Sequence, residues 1–170
     1  MIMQKKPAKP ITYETALERC AAACARAEHS AGELRKKMIR WRLPRTDADR
    51  VIDYLYDNAF IDDMRFARAF VNDKVAFDMW GRIKIRQALR IHGINSETIA
   101  TALDDVDAEL YRKNLDTLLR QKAKLTAETD PYKRKTALYR FAASRGYESD
   151  LALPIINRLV AGGDDFEVDE

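Results

Sequence analysis

Three ten-residue stretches of this chain can be laid over one another: LRKKMIRWRL (Leu34–Leu43), IRQALRIHGI (Ile85–Ile94) and LYRFAASRGY (Leu138–Tyr147). Each is apolar in its first and last places and small or apolar in its fifth, at Met38, Leu89 and Ala142. Each is studded with Lys and Arg, and no acidic residue falls inside any of them. The start-to-start offsets are both about fifty residues, a period that points to an array of small units rather than one irregular core. Only six Gly and five Pro punctuate the 170 residues, and no strand-like alternation of Val, Ile and Thr persists. The expected class is therefore all-α, a tandem array of three three-helix units with about nine helices, elongated or curved.

Capping chemistry divides the chain further. Residues 1–11 read as a disordered basic leader and 162–170 as a disordered acidic tail. In the first unit (12–60), Thr12 is the expected N-cap of a helix reaching about Glu28, with Leu17, Cys20, Cys24 and Ala27 as its apolar stripe. Ser30 and Glu33 form a capping box for a second helix that Pro44 stops, and Thr46 is the expected cap of a third carrying Val51, Ile52 and Leu55 inward. In the second unit (61–106), Asp62 caps a helix from Asp63 to about Met79, Trp80-Gly81 marks a break, and the basic helix runs to His92. Gly93 then stands where a left-handed residue is expected, and Asn95 or Ser96 caps the next helix. The third unit (107–161) opens near Asp107, with Tyr111, Leu115, Leu118 and Leu125 at helical spacing. Asp130-Pro131 starts its basic helix and Gly146 repeats the role of Gly93. Ser149 is the expected cap of the last helix, which leaves Pro154 in its interior unless that helix starts late.

Composition excludes more than it assigns. The start MIMQKKPAKP has no apolar run behind its lysines, so no signal peptide is expected, and no stretch is apolar for long enough to span a membrane. Cys20 and Cys24 share a helix face, a poor geometry for a disulfide, and read as small buried apolar residues in a reducing cytoplasm. With His29 and His92 in other segments, no metal site is expected. Phosphate-loop, zinc-protease and nucleophile-elbow motifs are all missing, so neither catalysis nor a cofactor is expected. Asp62-Asp63 and Asp104-Asp105 read as helix caps or ends rather than metal carboxylates.

Charge is more telling. The formal net charge is +3, but the tail residues Asp164, Asp165, Glu167, Asp169 and Glu170 supply five negatives, which leaves residues 1–163 at +8. On the second basic helix Arg82, Arg86 and Arg90 fall at i, i+4 and i+8, one ridge, with Lys84 beside them and Ile85, Ala88 and Leu89 on the buried side. Lys36 and Arg40 form a similar ridge on the first, ringed by Arg35, Lys37, Arg42 and Arg45. Lys133, Arg134, Lys135 and Arg140 are the counterparts on the third. One charge run is usually a solvated face, but recurrence on the same helix of each unit points to an anionic partner. Nucleic-acid phosphates and an acidic protein surface both fit. Trp41, Trp80 and the phenylalanines sit at spacings that suit the core.

The run IDDMRFARAFVNDKVAFDMWGRIKIRQALRIHGI (Ile61–Ile94) resembles the RecX family of recombinase regulators. The matching motifs are Ile-Asp-Asp-x-Arg-Phe-Ala, which includes Asp62, Asp63, Arg65 and Phe66, then Trp80-Gly81 with Lys-Ile-Arg, and Leu-x-x-x-Gly-Ile ending at Gly93 and Ile94. Looser agreement extends over about residues 13–161. Arg42 departs from the family, whose first unit usually has Gly there, and Pro154 is unusual in the last helix. The resemblance implies a tandem array of three-helix units and a non-enzymatic, cytoplasmic regulator, expected as a monomer with no membrane association. It implies binding to the RecA nucleoprotein filament, with weak, salt-dependent contact to single-stranded or duplex DNA. RecA filament growth, strand exchange, ATP hydrolysis and coprotease activity would be limited as a result. The alternatives are an autonomous DNA-binding helical module, recognisable by duplex binding without RecA, and a structural adaptor with neither activity.

Overall fold

Local capping decides where the helices begin. In the structure, a computed structural model that describes residues 11–162, nine α-helices and no strand occur among the described residues. They are α1 (Tyr13–Cys24), α2 (Ala31–Arg40), α3 (Arg45–Asp57), α4 (Asp63–Ala76), α5 (Arg82–Ile91), α6 (Ser96–Asp104), α7 (Ala108–Leu125), α8 (Pro131–Arg145) and α9 (Ser149–Val160). The expected leader and tail lie outside the described residues, apart from Ile11, which packs against the α1–α3 core, and Gly162. None of the nine helices is long and apolar enough to cross a membrane.

Most of the expected caps are in place, each taking up an N–H that the helix itself leaves without a partner. Thr12 accepts from the Thr15 N–H, and the Ser30–Glu33 capping box closes in both directions. Asp62 accepts from Arg65, Asn95 from Thr98, Asp107 from Leu110 and Asp130 from Lys133, all at 2.7–2.9 Å.

Two caps differ. Helix α3 starts directly after Pro44, so Thr46 already lies in its first turn, and the end has no side-chain cap. Helix α9 starts at Ser149 itself, with Glu148 in the cap position. The Ser149 hydroxyl shares a 2.9 Å hydrogen bond with the Tyr139 hydroxyl, and the Glu148 carboxylate is committed to Tyr111. Pro154 does sit inside α9, where it removes the N–H that would reach the Asp150 carbonyl.

Four helix ends share one device. At α2, α5 and α8 the ninth residue of the repeat is left-handed: Arg42 at φ 58°, Gly93 and Gly146 at φ 86°. In each case the N–H of the tenth residue (Leu43, Ile94, Tyr147) donates to the carbonyl of the fifth (Met38, Leu89, Ala142) at 3.1 Å. The ninth N–H donates to the carbonyl three residues back, which completes a Schellman motif. All nine residues in the first, fifth and tenth places are buried. The sequence repeat is thus a record of helix termination. α3 ends in the same way, with Ala59 at φ 56° and the Phe60 N–H on the Leu55 carbonyl at 2.8 Å.

Three helices stop earlier than their apolar patterns suggest. α2 ends at Arg40 because Arg42 turns left-handed ahead of Pro44. α1 ends at Cys24, which leaves Ala27 exposed, and Glu28 beyond it turns to the Arg65 guanidinium. α4 ends at Ala76, where Met79 is left-handed and the Asp78 and Met79 carbonyls accept from Arg145 and the Tyr147 hydroxyl.

The described residues form two compact bodies. One holds residues 11–69 together with Leu89–Ile99, and its α1–α3 core centres on Cys20, Leu34, Met38, Val51 and Leu55. The other holds Phe70–Ala88 and residues 100–162, with Tyr111, Leu115, Leu119, Leu138, Tyr147 and Ile156 in its core. Ala88 is only half-buried. Leu125 and Phe77 belong to neither core, being 83% and 81% exposed.

The glycines separate two kinds of cost. A Cβ at Gly93 would meet nothing within 4 Å, whereas one at Gly146 would strike the backbone and Cβ of Lys84. Gly93→Ala is expected to cost about 1–2 kcal/mol, the left-handed penalty alone. Gly146→Ala should cost a further ~1–3 kcal/mol or more from overpacking, both read from urea unfolding midpoints. Arg42→Gly should gain up to about 1 kcal/mol by relieving the same penalty, less the extra entropy of the unfolded chain.

Burial, helped by neighbouring Cys24, pushes the Cys20 thiol up from 9.0 to about 11. The unfolded thiol loses its proton first, so this contribution to stability is complete below pH 9 and declines as pH rises toward 11. Replacing Cys20 with Ala should flatten the unfolding free energy against pH across that interval.

Candidate interaction surface

In the second body, the N-terminus of α5 is held by the C-terminus of α8. The Gly81 N–H donates to the Arg145 carbonyl at 2.8 Å, and the Ile83 N–H to the Gly146 carbonyl at 3.0 Å. Carbonyls left over at one helix end thereby satisfy N–H groups left over at another, and the two helix dipoles meet with opposite signs. Close approach explains Gly81, since a Cβ there would collide with the Gly146 carbonyl.

A third orphan donor, the Arg82 N–H, reaches the Tyr111 hydroxyl at 2.8 Å, and that hydroxyl donates to the Glu148 carboxylate at 2.6 Å. Burial first, then the bond to Glu148, pushes the Tyr111 phenol well above its ordinary range. The Arg82 guanidinium lies 4.1 Å from the Tyr111 ring centroid and 3.7 Å from Glu148. The side chain that opens the predicted ridge is therefore a strut within its own body. Lys84 is also engaged: its ammonium sits 4.3 Å from the Trp80 ring centroid, with Lys74 at 4.8 Å on the same ring.

The other expected contact residues divide in the same way. Arg134 is half-buried and donates to the Ala123 carbonyl at 3.2 Å, next to the C-cap of α7. Lys36 and Arg40 on α2, Arg86 and Arg90 on α5, and Lys133 and Arg140 on α8 are exposed, and none makes an ion pair among the described residues. By contrast Arg35 is paired with Asp49. Of the nine expected contact residues, these six are the ones left available to an anionic partner.

The Asp62–Phe66 motif holds the turn between α3 and α4. Asp62 caps α4, and Asp63 accepts from the Tyr56 hydroxyl at 2.8 Å. Burial, with the bond to Asp63 second, drives the Tyr56 phenol upward. Arg65 reaches the Glu28 carboxylate and the Ala59 and Phe60 carbonyls, which fastens both sides of the turn. Phe66 is buried, its ring centroid 5.2 Å from that of His92. Asp104 and Asp105 are exposed at the end of α6. No group of three His, Cys, Asp or Glu able to hold a metal occurs among the described residues.

Sequence reading misses two assemblies. The chain's two histidines converge on Glu33, His29 at 3.0 Å and His92 at 3.6 Å, although they lie far apart in sequence. Trp41 is half-buried rather than sealed in the core, and the Arg19 guanidinium is 5.5 Å from its ring centroid. The spacing of Arg19 and Arg26 around Ala22 and Ala23 on one helix face was the available signal for that corner.

A family model described as RecX, second three-helix domain, matches residues 62–103. A regulatory protein RecX from Xanthomonas axonopodis pv. citri (strain 306) is 33% identical over 138 residues, covering 81% of this chain and 83% of that protein. One from Clostridium botulinum (strain Alaska E43 / Type E3) is 33% identical over 109 residues, covering 63% of this chain and 50% of that protein. A crystal structure of regulatory protein RecX superposes with a TM-score of 0.78 at 20% identity, covering 85% of this chain and 73% of that one. RecX from Lactobacillus salivarius superposes at 0.73 and 17% identity, covering 86% and 96%. The structural likenesses show the shared all-α fold of three-helix units, and the identity of one residue in three along most of both the Xanthomonas protein and this chain shows common descent: the chain belongs to the RecX family of regulatory proteins.

Proposed function

We propose that this protein is a non-enzymatic inhibitor of RecA that lodges in the groove of the RecA–DNA filament and restrains ATP hydrolysis, strand exchange and coprotease activity. The observation that carries the reading is the set of six exposed cations on α2, α5 and α8 that make no ion pair among the described residues. They lie on the helices that the family's diagnostic run and its two looser copies supply. Several modest basic patches suit a repeating anionic track, because sites engaged together on one assembled filament gain avidity that a free protomer does not offer. We place the units at 12–60, 61–106 and 107–161, and the protein in the cytoplasm as a monomer. Duplex or single-stranded DNA would be a weak, salt-sensitive second contact.

Substoichiometric inhibition of RecA ATPase on single-stranded DNA is the expected result, and no inhibition at any ratio would sink the proposal. Arg86→Glu/Arg90→Glu should raise the half-inhibitory concentration about tenfold or more while leaving far-ultraviolet circular dichroism unchanged. Arg82 is left out of that variant because its reversal would set a second carboxylate against Glu148 and unsettle the α5 terminus.

A further inference from the structure

Arg19, Ala22, Ala23 and Arg26 stand at i, i+3, i+4 and i+7 along α1 and the turn after it, and Lys37, Arg40 and Trp41 at i, i+3 and i+4 along α2 and its C-cap. Together they line an open cleft of 580 Å³ within the first body. Four of the seven lining residues are cations and none is acidic. Arg19, Arg26, Lys37 and Arg40 make no ion pair among the described residues. The two alanines keep the floor low, so a ligand can approach the helix backbone. At one wall stands the Trp41 indole with Arg19 against it.

Four like charges gathered on one cleft repel each other unless an anion joins them. Planar guanidinium groups match phosphate oxygens in pairs. An indole offers a stacking surface to a flat base, worth about 1–3 kcal/mol per base. An acidic peptide would answer the charge but offer no flat ring to extend the Trp41–Arg19 stack. The volume falls within the range of about 300–1,000 Å³ typical of small-ligand sites, and its openness allows a strand to pass through.

We infer that this cleft binds a nucleotide unit, with its phosphate on Arg26, Lys37 and Arg40 and its base against Trp41 and Arg19. The unit is a free nucleotide or one link of a single strand. The assignment deepens the proposed contact with single-stranded DNA and shares Arg40 with it, but its test needs no recombinase, so its failure and that of RecA inhibition are read separately.

The test uses the full chain alone, with a labelled oligothymidylate of about ten nucleotides read by anisotropy at two salt concentrations. Arg26→Glu/Arg40→Glu should weaken binding about tenfold or more with circular dichroism unchanged. Arg112→Glu/Lys113→Glu, the same change in net charge at exposed positions of α7, should weaken it less than about threefold. Bound oligonucleotide should quench tryptophan emission in the parent and not in Trp41→Phe, where Trp80 alone reports. Saturable quenching by thymidine monophosphate supports the free-nucleotide source, and quenching by the oligonucleotide alone supports the strand. Equal losses in the two charge-reversed variants, quenching that survives Trp41→Phe, or displacement by polyglutamate as effective as by unlabelled oligonucleotide of equal charge would overturn the assignment.

Discussion

One backbone hydrogen bond governs how this chain is divided: the N–H of a repeat's tenth residue on the carbonyl of its fifth. It forms only if the ninth residue turns left-handed, and forming it folds the tenth side chain back over the first and fifth. The turn thus returns the tenth residue to the packed face on which the helix already buries the first and fifth. At Gly93 and Gly146 the conformation carries no Cβ penalty. At Arg42 it costs about 1–2 kcal/mol, against roughly 1.5–3 kcal/mol for burying a leucine such as Leu43. Termination therefore still holds where glycine is absent. Ala59 makes the same exchange at the end of α3, where it positions Phe60 and the Ile61–Asp62 start of the next helix.

Termination at α8 has a second effect within its body. Because Gly146 bends the backbone there, the Arg145 and Gly146 carbonyls are presented to the first turn of α5. Tyr111 enters from α7 to take the Arg82 N–H, and Glu148 anchors the Tyr111 hydroxyl. Three segments thus share one set of satisfied polar groups around two glycines that leave no room for a side chain. Exposed ion pairs contribute little on their own. The half-buried Arg82–Glu148 pair matters chiefly because it accompanies a buried tyrosine whose hydroxyl is fully used.

Features whose partners lie within three residues were legible in the sequence: the caps at Thr12, Ser30, Asp62, Asp107 and Asp130, and the left-handed glycines. Features that depend on distant segments were not. Nothing near Arg82 announces Tyr111, 29 residues on, or Glu148 beyond it. Ser149 was a sound cap by type, but Tyr139 and Tyr111 claim it and its neighbour. The α4 terminus likewise answers to Arg145 and Tyr147, 67 and 68 residues from the carbonyls they hold. The candidate surface was half legible on the same ground: cation type is local, but whether a cation is free depends on what the rest of the body brings to it.

The repeat therefore separates two kinds of constraint. Burial recurs place by place, since the first and fifth residues share the packed helix face and the turn brings the tenth back to it. Charge recurs only in kind: the exposed cations stand at the third and seventh places in α2, the second and sixth in α5, and the third in α8. A partner read through one exact constellation would demand matching places. A partner whose negative charge is spread along its surface needs only enough free cations on each exposed helix face, because Coulomb attraction at that range tolerates shifts of a few ångströms. The tolerance of place alongside the constancy of sign favours an extended polyanionic assembly over a single small anionic group for these helices. Against that background the α1–α2 corner is different in kind, for there the cations share one cleft with an aromatic wall.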